Sequence, residues 1–202
     1  MTAGVILSAG RSARMGRPKG LLRHVPTGDT FVSYLVGTAR TVNLDPVFVV
    51  GRAADDALAA EVRRSGASLL VNGDPDRGQL SSILVGLDAA QRAGADALVV
   101  MPVDVPLLTS AVLHAVIAAA ATTDAAIVRA CHRGRHGHPV LFKREVFDEL
   151  RSADLSIGAR AVVRADPRRV KDVEVDDPGV TFDIDTPDDY RRAFGVELRV
   201  ET

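Results

Sequence analysis

The stretch Val5-Ile6-Leu7-Ser8-Ala9-Gly10-Arg11-Ser12-Ala13-Arg14-Met15-Gly16-Arg17-Pro18-Lys19 decides how this chain folds. Its apolar opening reads as a buried strand, and the rest as a loop with two glycines, three arginines and a lysine. Glycines let a backbone approach a ligand with its N–H groups forward, and clustered cations neutralise phosphate oxygens. A strand that opens into such a turn is how an α/β protein meets polyphosphate.

Beyond that stretch, apolar runs alternate with helix-period segments. The runs predict strands at Gly4–Ser8, Val47–Gly51, Ser68–Val71, Ala97–Pro102, Ala125–Ala130, Pro139–Phe142, Val170–Val175 and Val180–Asp183. Helical spacing recurs in Val32, Leu35, Val36 and Ala39, in Leu80, Ile83, Leu84 and Leu87, and in Leu113, Val116, Ile117 and Ala120. A last helix is predicted over Asp188–Phe194, with Thr186 as its N-cap and Pro187 at its first position. The β-α repeats of the first half imply a mostly parallel, doubly wound sheet. The second half is less regular, as if a smaller excursion were inserted. With no linker, repeat or composition break, a single domain over residues 1–202 is expected.

Composition narrows the function. Apolar residues make up 47% of the 202 positions and charged residues 25%, as in an ordered globular protein. With 25 basic and 26 acidic residues the net charge is −1, without the basic excess that nucleic acid or a membrane surface demands. The basic residues bunch at Arg11–Lys19 and Arg129–Arg144, which suits a small anionic molecule. The one cysteine, Cys131, excludes an internal disulfide, and the start lacks a basic leader, so a cytoplasmic setting is expected. The longest apolar stretch, Ala111–Ala121, is interrupted by His114 and too short to span a bilayer.

Ligands of an open parallel sheet bind beyond the carboxyl ends of its strands. Three loops qualify: Ser8–Lys19, Pro102-Val103-Asp104-Val105-Pro106, and Asp183-Ile184-Asp185-Thr186-Pro187. Asp104 ends a buried apolar run between two prolines, where a carboxylate is costly unless something pairs with it. Magnesium is a natural partner, because it takes one or two carboxylates and completes its shell with phosphate oxygens and water. Asp183 and Asp185 offer a second acidic point. On local grounds alone, Asp104 also suits a turn capping the helix near Thr109, and Asp185 suits a helix start.

The loop Leu7-Ser8-Ala9-Gly10-Arg11-Ser12-Ala13-Arg14-Met15-Gly16-Arg17-Pro18-Lys19 resembles the signature of the MobA-like nucleoside triphosphate transferases, nearest their molybdenum cofactor cytidylyltransferase branch. The likeness continues in Gly78-Gln79-Leu80-Ser81-Ser82-Ile83, Pro102–Leu107, Gly137-His138-Pro139-Val140-Leu141-Phe142 and Asp183–Asp189. The resemblance implies a three-layer α/β/α, Rossmann-like nucleotidyltransferase fold with a mostly parallel mixed sheet. It places nucleotide in the N-terminal half and acceptor in the C-terminal half. By position, Leu7, Ser8, Ala9 and Gly10 line base and phosphates, and Arg14 and Lys19 meet the triphosphate. Asp104 and Asp185 hold Mg2+, Asp185 being preferred over Asp183 on the resemblance alone. Gln79, Ser81 and Ser82 contribute to base or ribose recognition, and His138 lies toward the acceptor.

The implied reaction moves CMP from CTP, or another NTP in its place, to a phosphorylated acceptor, molybdopterin by resemblance, and releases pyrophosphate. A contact with a molybdoenzyme or its chaperone belongs to the same expectation; nucleic acid and membrane do not. The guanylyl branch has glycine where Ala9 stands, and the extra methyl favours a pyrimidine. Many relatives carry Gln or Met at Val105, which bears on acceptor identity. A guanylyltransferase of the same pathway and a sugar- or alcohol-phosphate nucleotidylyltransferase are the alternatives; the latter branch usually has glycine at Ser12 and runs longer. A non-catalytic nucleotide-binding module is disfavoured because both carboxylates and Lys19 are present. Ser12 and Met15 replace glycines that a dinucleotide-binding enzyme needs. Cys131, His132, His136 and His138 are close enough in sequence to suggest zinc, yet Arg129, Arg133 and Arg135 interleave and would repel it.

Overall fold

Strict alternation along β1 (Thr2–Leu7) divides its side chains between two cores. Ile6 faces a layer built by α1 (Phe31–Thr41), α2 (Asp56–Ser65), α4 (Ser110–Ala121) and α7 (Pro187–Phe194). Ala3, Val5 and Leu7 face the opposite layer of α3 (Gln79–Arg92), α5 (Phe147–Ser152) and α6 (Arg160–Ala165). Burial on both faces is why the strands read as continuous apolar runs rather than alternating ones. The protein is described by a computed structural model over residues 1–198; the last four residues of the expected 1–202 span lie outside the described residues.

The remaining strands are β2 (Val47–Arg52), β3 (Ser68–Asn72), β4 (Ala97–Pro102), β5 (Ile127–His132), β6 (Arg135–Lys143) and β7 (Val170–Glu174). They form one seven-stranded sheet in the order β3-β2-β1-β4-β6-β5-β7. All neighbours are parallel except β6, which runs antiparallel to both β4 and β5. The expected three-layer α/β/α architecture with a mostly parallel mixed sheet is therefore present. Where β1 and α3 pass, Gly86 has no room for a side chain: a Cβ there would lie 2.6 Å from Val5 Cγ1.

Besides α2, α5 and α6, which the sequence reading did not predict, two features differ from it. The β5–β6 pair is longer than predicted and turns at Arg133-Gly134, both with positive φ. Val180–Asp183 is not a strand. Pro178–Thr181 forms a 3-10 turn whose first N–H, from Gly179, is accepted by Asp177 Oδ1 at 2.9 Å, so its hydrogen bonds are satisfied locally. The turn instead packs across the start of β6, where a Cβ on Gly137 would lie 2.0 Å from the Val180 carbonyl oxygen.

Candidate active site

The signature loop is folded by its own small residues. Ser12 adopts a left-handed conformation (φ 51°), and its carbonyl accepts from the N–H groups of Met15 and Gly16, each at 3.0 Å. Met15 is 3% exposed and pins the loop to the core, while Ser12 Oγ accepts from Lys19 N at 3.2 Å. Gly20 lets the chain pass Ser8, whose Oγ would stand 2.7 Å from any Cβ. The outcome is a lysine side chain laid inward: Lys19 is buried.

Both carboxylates meet it there. Val103 N donates to the Leu7 carbonyl at 3.0 Å and Val105 N to the Pro102 carbonyl at 3.1 Å, which sets Asp104 at the mouth between β1 and β4. Ile184 is fully buried, and its N–H donates to the Asp104 carbonyl at 2.7 Å, fastening the acidic segment to the same edge. Lys19 Nζ donates to Asp104 Oδ2 at 3.0 Å and to Asp185 Oδ1 at 2.5 Å, and Arg14 Nη2 to Asp185 Oδ2 at 2.9 Å. The Lys19 hydrogen bond holds the Asp185 carboxyl below its usual range against the opposing effect of burial, with Arg14 adding to the pull. Neither aspartate caps a helix. Thr109 Oγ1 caps α4, and Thr186 caps α7 in a reciprocal box with Asp189.

Asp183 diverges from Asp185 and faces a different space. Burial raises its carboxyl above the usual range, and the charges of Asp104 and Asp185 act in the same direction. Two cavities meet beside these groups, with Gly78, Gln79, Pro102 and Asp104 common to both walls. The smaller, about 210 Å³, is lined by Leu7, Ser8, Ala9, Gly10, Ser82 and Lys19 as well. The larger, about 680 Å³, presents Arg129, Arg135, His136, His138, Arg160 and Arg164. Of the residues expected to meet nucleotide, all but Arg14 and Ser81 line the smaller cavity. Arg14 stands at its edge, on Asp185.

Ser81 needs correction. It lines neither cavity; its hydroxyl donates to the Gly78 carbonyl at 2.7 Å and accepts from Asn72 Nδ2 at 2.8 Å, so it braces the N-terminus of α3. Asn72 also reaches Ser82 Oγ at 3.0 Å and is itself buried. Val105 is 1% exposed and lines neither cavity, so its departure from the family pattern is absorbed in the core.

Sequence reasoning missed two sets of side chains. Arg11 Nε donates to Asp76 Oδ1 at 2.9 Å and Arg52 Nη2 to the same oxygen at 2.8 Å, tying the signature loop to the segment before α3. In the larger cavity, Arg129 Nε donates to Asp172 Oδ1 at 2.6 Å, and His136 Nε2 lies 3.2 Å from Asp172 Oδ2. The cross-strand register Arg129↔Asp172 makes that pairing possible, and a register cannot be read from spacing. His138 has its Nδ1 buried without a partner, and burial pushes its pKa down to about 4, so the ring is neutral at neutral pH. The residues considered for zinc are engaged separately. His132 Nδ1 is 2.8 Å from the Val175 carbonyl, His136 pairs with Asp172, and Cys131 is buried with its thiol pKa raised by that burial. Among the described residues, no three His, Cys, Asp or Glu side chains form a ready-made metal cage, and no helix is long and apolar enough to cross a membrane.

A cation-bearing turn after the first strand, facing two carboxylates at the carboxyl edge of an α/β sheet, is a setting suited to a phosphate-bearing ligand. The MobA-like NTP transferase domain matches residues 4–172, and the chain belongs to that family of nucleotidyltransferases. It is 32% identical over 202 residues to purine catabolism protein PucB of Bacillus subtilis, spanning 95% of this chain and 96% of that protein. A probable molybdenum cofactor guanylyltransferase of Mycobacterium avium is 37% identical over 128 residues, covering 62% of this chain and 61% of the relative. Among solved structures, Rv0371c of Mycobacterium tuberculosis superposes with a TM-score of 0.80 at 32% identity, covering 96% of this chain and 97% of the other. The same protein has been solved with manganese; that structure gives a TM-score of 0.77 at 29% identity and covers 96% and 98% of the two chains.

Proposed function

We propose that this protein transfers CMP from CTP to the terminal phosphate of molybdopterin and releases pyrophosphate. The observation that carries the reading is the convergence of Lys19, Asp104 and Asp185 where the two cavities meet. The smaller cavity takes the nucleotide. Ala9 is 4% exposed in its wall, and its methyl narrows a space of only about 210 Å³, which favours a pyrimidine. The larger cavity, with four arginines, takes an anionic acceptor.

The chemistry asks little of the side chains beyond placement and charge. An acceptor phosphate is already ionised near neutral pH, so its attack on the α-phosphate needs no general base. Lys19 and Arg14 bind the triphosphate and offset the negative charge that builds as pyrophosphate departs. The Ser8 N–H is spent on the Val50 carbonyl at 2.8 Å, so the backbone N–H groups of Ala9 and Gly10 orient the phosphates, and Gln79 and Ser82 orient base or ribose. His138, neutral and buried at one nitrogen, shapes the acceptor wall without taking a proton.

Asp104 and Asp185 fit a magnesium ion. They carry hard oxygens, and both already bond one ammonium group, so they stand close enough to share a cation. Two carboxylates suffice because phosphate oxygens and water complete the shell of Mg2+. When bound, the ion neutralises phosphate charge and polarises the phosphoryl oxygens. The manganese-bound Rv0371c structure supports a divalent ion in this fold.

The likeness to a probable molybdenum cofactor guanylyltransferase makes GTP the second reading. A thermal-shift screen of CTP, GTP, ATP and UTP with Mg2+ separates them, since the tightest ligand stabilises the native state most. CTP is expected to give the largest shift, and CTP with molybdopterin to release pyrophosphate. A larger shift with GTP would overturn the cytidylyl assignment.

A further inference from the structure

The two carboxylates assigned to the metal already hold a cation that belongs to the chain. We infer that Lys19 keeps a divalent ion out of the Asp104–Asp185 pair until a nucleoside triphosphate draws its ammonium away, so that metal and nucleotide bind as one positively coupled event. The inference rests on the proposed roles of those aspartates.

The Lys19 ammonium lies within hydrogen-bond distance of both, 3.0 Å from Asp104 and 2.5 Å from Asp185, and only 10% of its side chain is exposed. Asp185 has Arg14 on its other oxygen at 2.9 Å. The two carboxylates are thus matched by two cations, and the third carboxylate nearby, Asp183, has Arg135 as well as Lys19 to offset it. A divalent ion added to this arrangement would sit beside an ammonium with no net attraction to compensate the loss of its own water. Like charges a few ångströms apart in a partly buried site repel strongly.

The same side chain has somewhere to go. Its backbone is fixed by the Ser12 hydroxyl and by the 3-10 turn Lys19–Leu21, which leaves the long side chain as the moving part. Lys19 lines the nucleotide cavity and also an adjoining hollow of about 590 Å³ bordered by Arg11, Gly16, Arg17 and Arg52. A triphosphate seated on these cations offers Lys19 and Arg14 new anionic partners. Each contact it makes loosens their hold on the carboxylates and exposes oxygens to the metal. Linkage requires the reverse as well: a bound metal displaces the ammonium toward the phosphates and raises nucleotide affinity by the same factor.

The test is Mn2+ binding without nucleotide, read by electron paramagnetic resonance of the free ion. Wild-type protein should bind Mn2+ weakly, and Lys19→Met should bind it about tenfold more tightly or better, within the range usual for coupled sites. Lys19→Arg, which preserves the charge, should stay near wild type, and circular dichroism melts verify that each variant is folded. If Lys19→Met is unfolded, Lys19→Gln, which keeps a polar chain of similar reach, takes its place. Equal Mn2+ affinity for the charge-removed variant and wild type would overturn the inference. So would tight binding by wild type alone. The double variant Lys19→Met/Asp104→Asn should lose the gain. If it keeps the gain, the ion binds elsewhere, and the carboxylate assignment falls rather than the behaviour of Lys19.

Discussion

The two ends of the sheet build their cavities in different ways. On the β3-β2-β1-β4 side every strand is parallel, and the contacts come from loops at the strand ends, chiefly Leu7–Lys19 and Pro102–Asp104. On the β6-β5-β7 side a hairpin interrupts the parallel order, and strand side chains, Arg129 on β5 with His136 and His138 on β6, join Arg160 and Arg164 of α6 in the cavity wall. A loop site recognises phosphate through backbone and mobile cations, which suits a ligand common to a whole family. A strand-borne site fixes side chains by register, which suits selection of one acceptor. On the function proposed above, the difference makes nucleotide handling and acceptor choice separable.

The heaviest blow to that separation is Asp104, which belongs to both walls. Asp104→Ala should lower kcat by more than the about 10²- to 10³-fold expected for Lys19→Met, whose loss resembles removal of one preorganised donor. Turnover near wild type in both variants would break the assignment. Next is Gly137→Ala. Its methyl would meet the Val180 carbonyl and push the turn that leads to Asp183 and Asp185 away from β6. Overpacking against backbone costs about 1–3 kcal/mol or more, so the melting temperature should fall by several degrees, with kcat falling alongside.

Arg129→Ala sharpens the contrast directly. It should raise the KM for acceptor about tenfold, as expected for one charge-assisted contact, while the KM for nucleotide stays put. Asp172→Asn, which slackens the same arginine, should move acceptor KM in the same direction by less. A change in nucleotide KM from either would contradict the division. Acid stability offers a milder comparison, because each side carries a histidine disfavoured as a cation. His138 is pushed down to about 4 by burial, and burial also lowers His24, which stacks on Tyr34 with ring centroids 3.7 Å apart. Both rings take up protons more readily in the unfolded chain, whose histidines titrate near 6.5. Their contribution is therefore complete above about pH 6.5 and is lost as pH falls through the folded values. Replacing His138 with Gln should flatten the fall in melting temperature between about pH 6.5 and 4 more than replacing His24 does. The smallest effect should come from Asp76→Ala, which releases Arg11 and Arg52 at an exposed position and should change nucleotide KM by about threefold or less.

Much of the parallel side was legible in sequence because its signals are local. The run Gly4–Leu7, the helical spacing of Val32 to Ala39 and the box at Thr186–Asp189 each encode their element within a few residues. Helix α2 escaped notice for lack of such a signal: only Leu58 and Val62 of its ten residues are buried, and its stripe is thin. Val180–Asp183 misled for the opposite reason. Val180 is buried, but by a turn lying across Gly137 rather than by strand pairing, and Pro178 with Asp177 decided between them. Ser81 is assigned with Ser82 on the family motif. Both hydroxyls accept from Asn72, but Ser82 lines the smaller cavity, whereas Ser81 donates back to the Gly78 carbonyl and lines neither.

By itself the sequence determined the alternation of buried runs and amphipathic helices, the cation-rich turn after the first strand and the aspartate that follows the strand ending at Pro102. These follow from the pattern of polar and apolar groups along a short length of chain. Only the tertiary structure decided that Ile184 bonds the Asp104 backbone, that one ammonium joins both carboxylates, and that Asp183 faces the larger cavity while Asp185 does not. Those relations join residues 80 or more positions apart, and they depend on strand order and register, which only the packing of the whole sheet can fix.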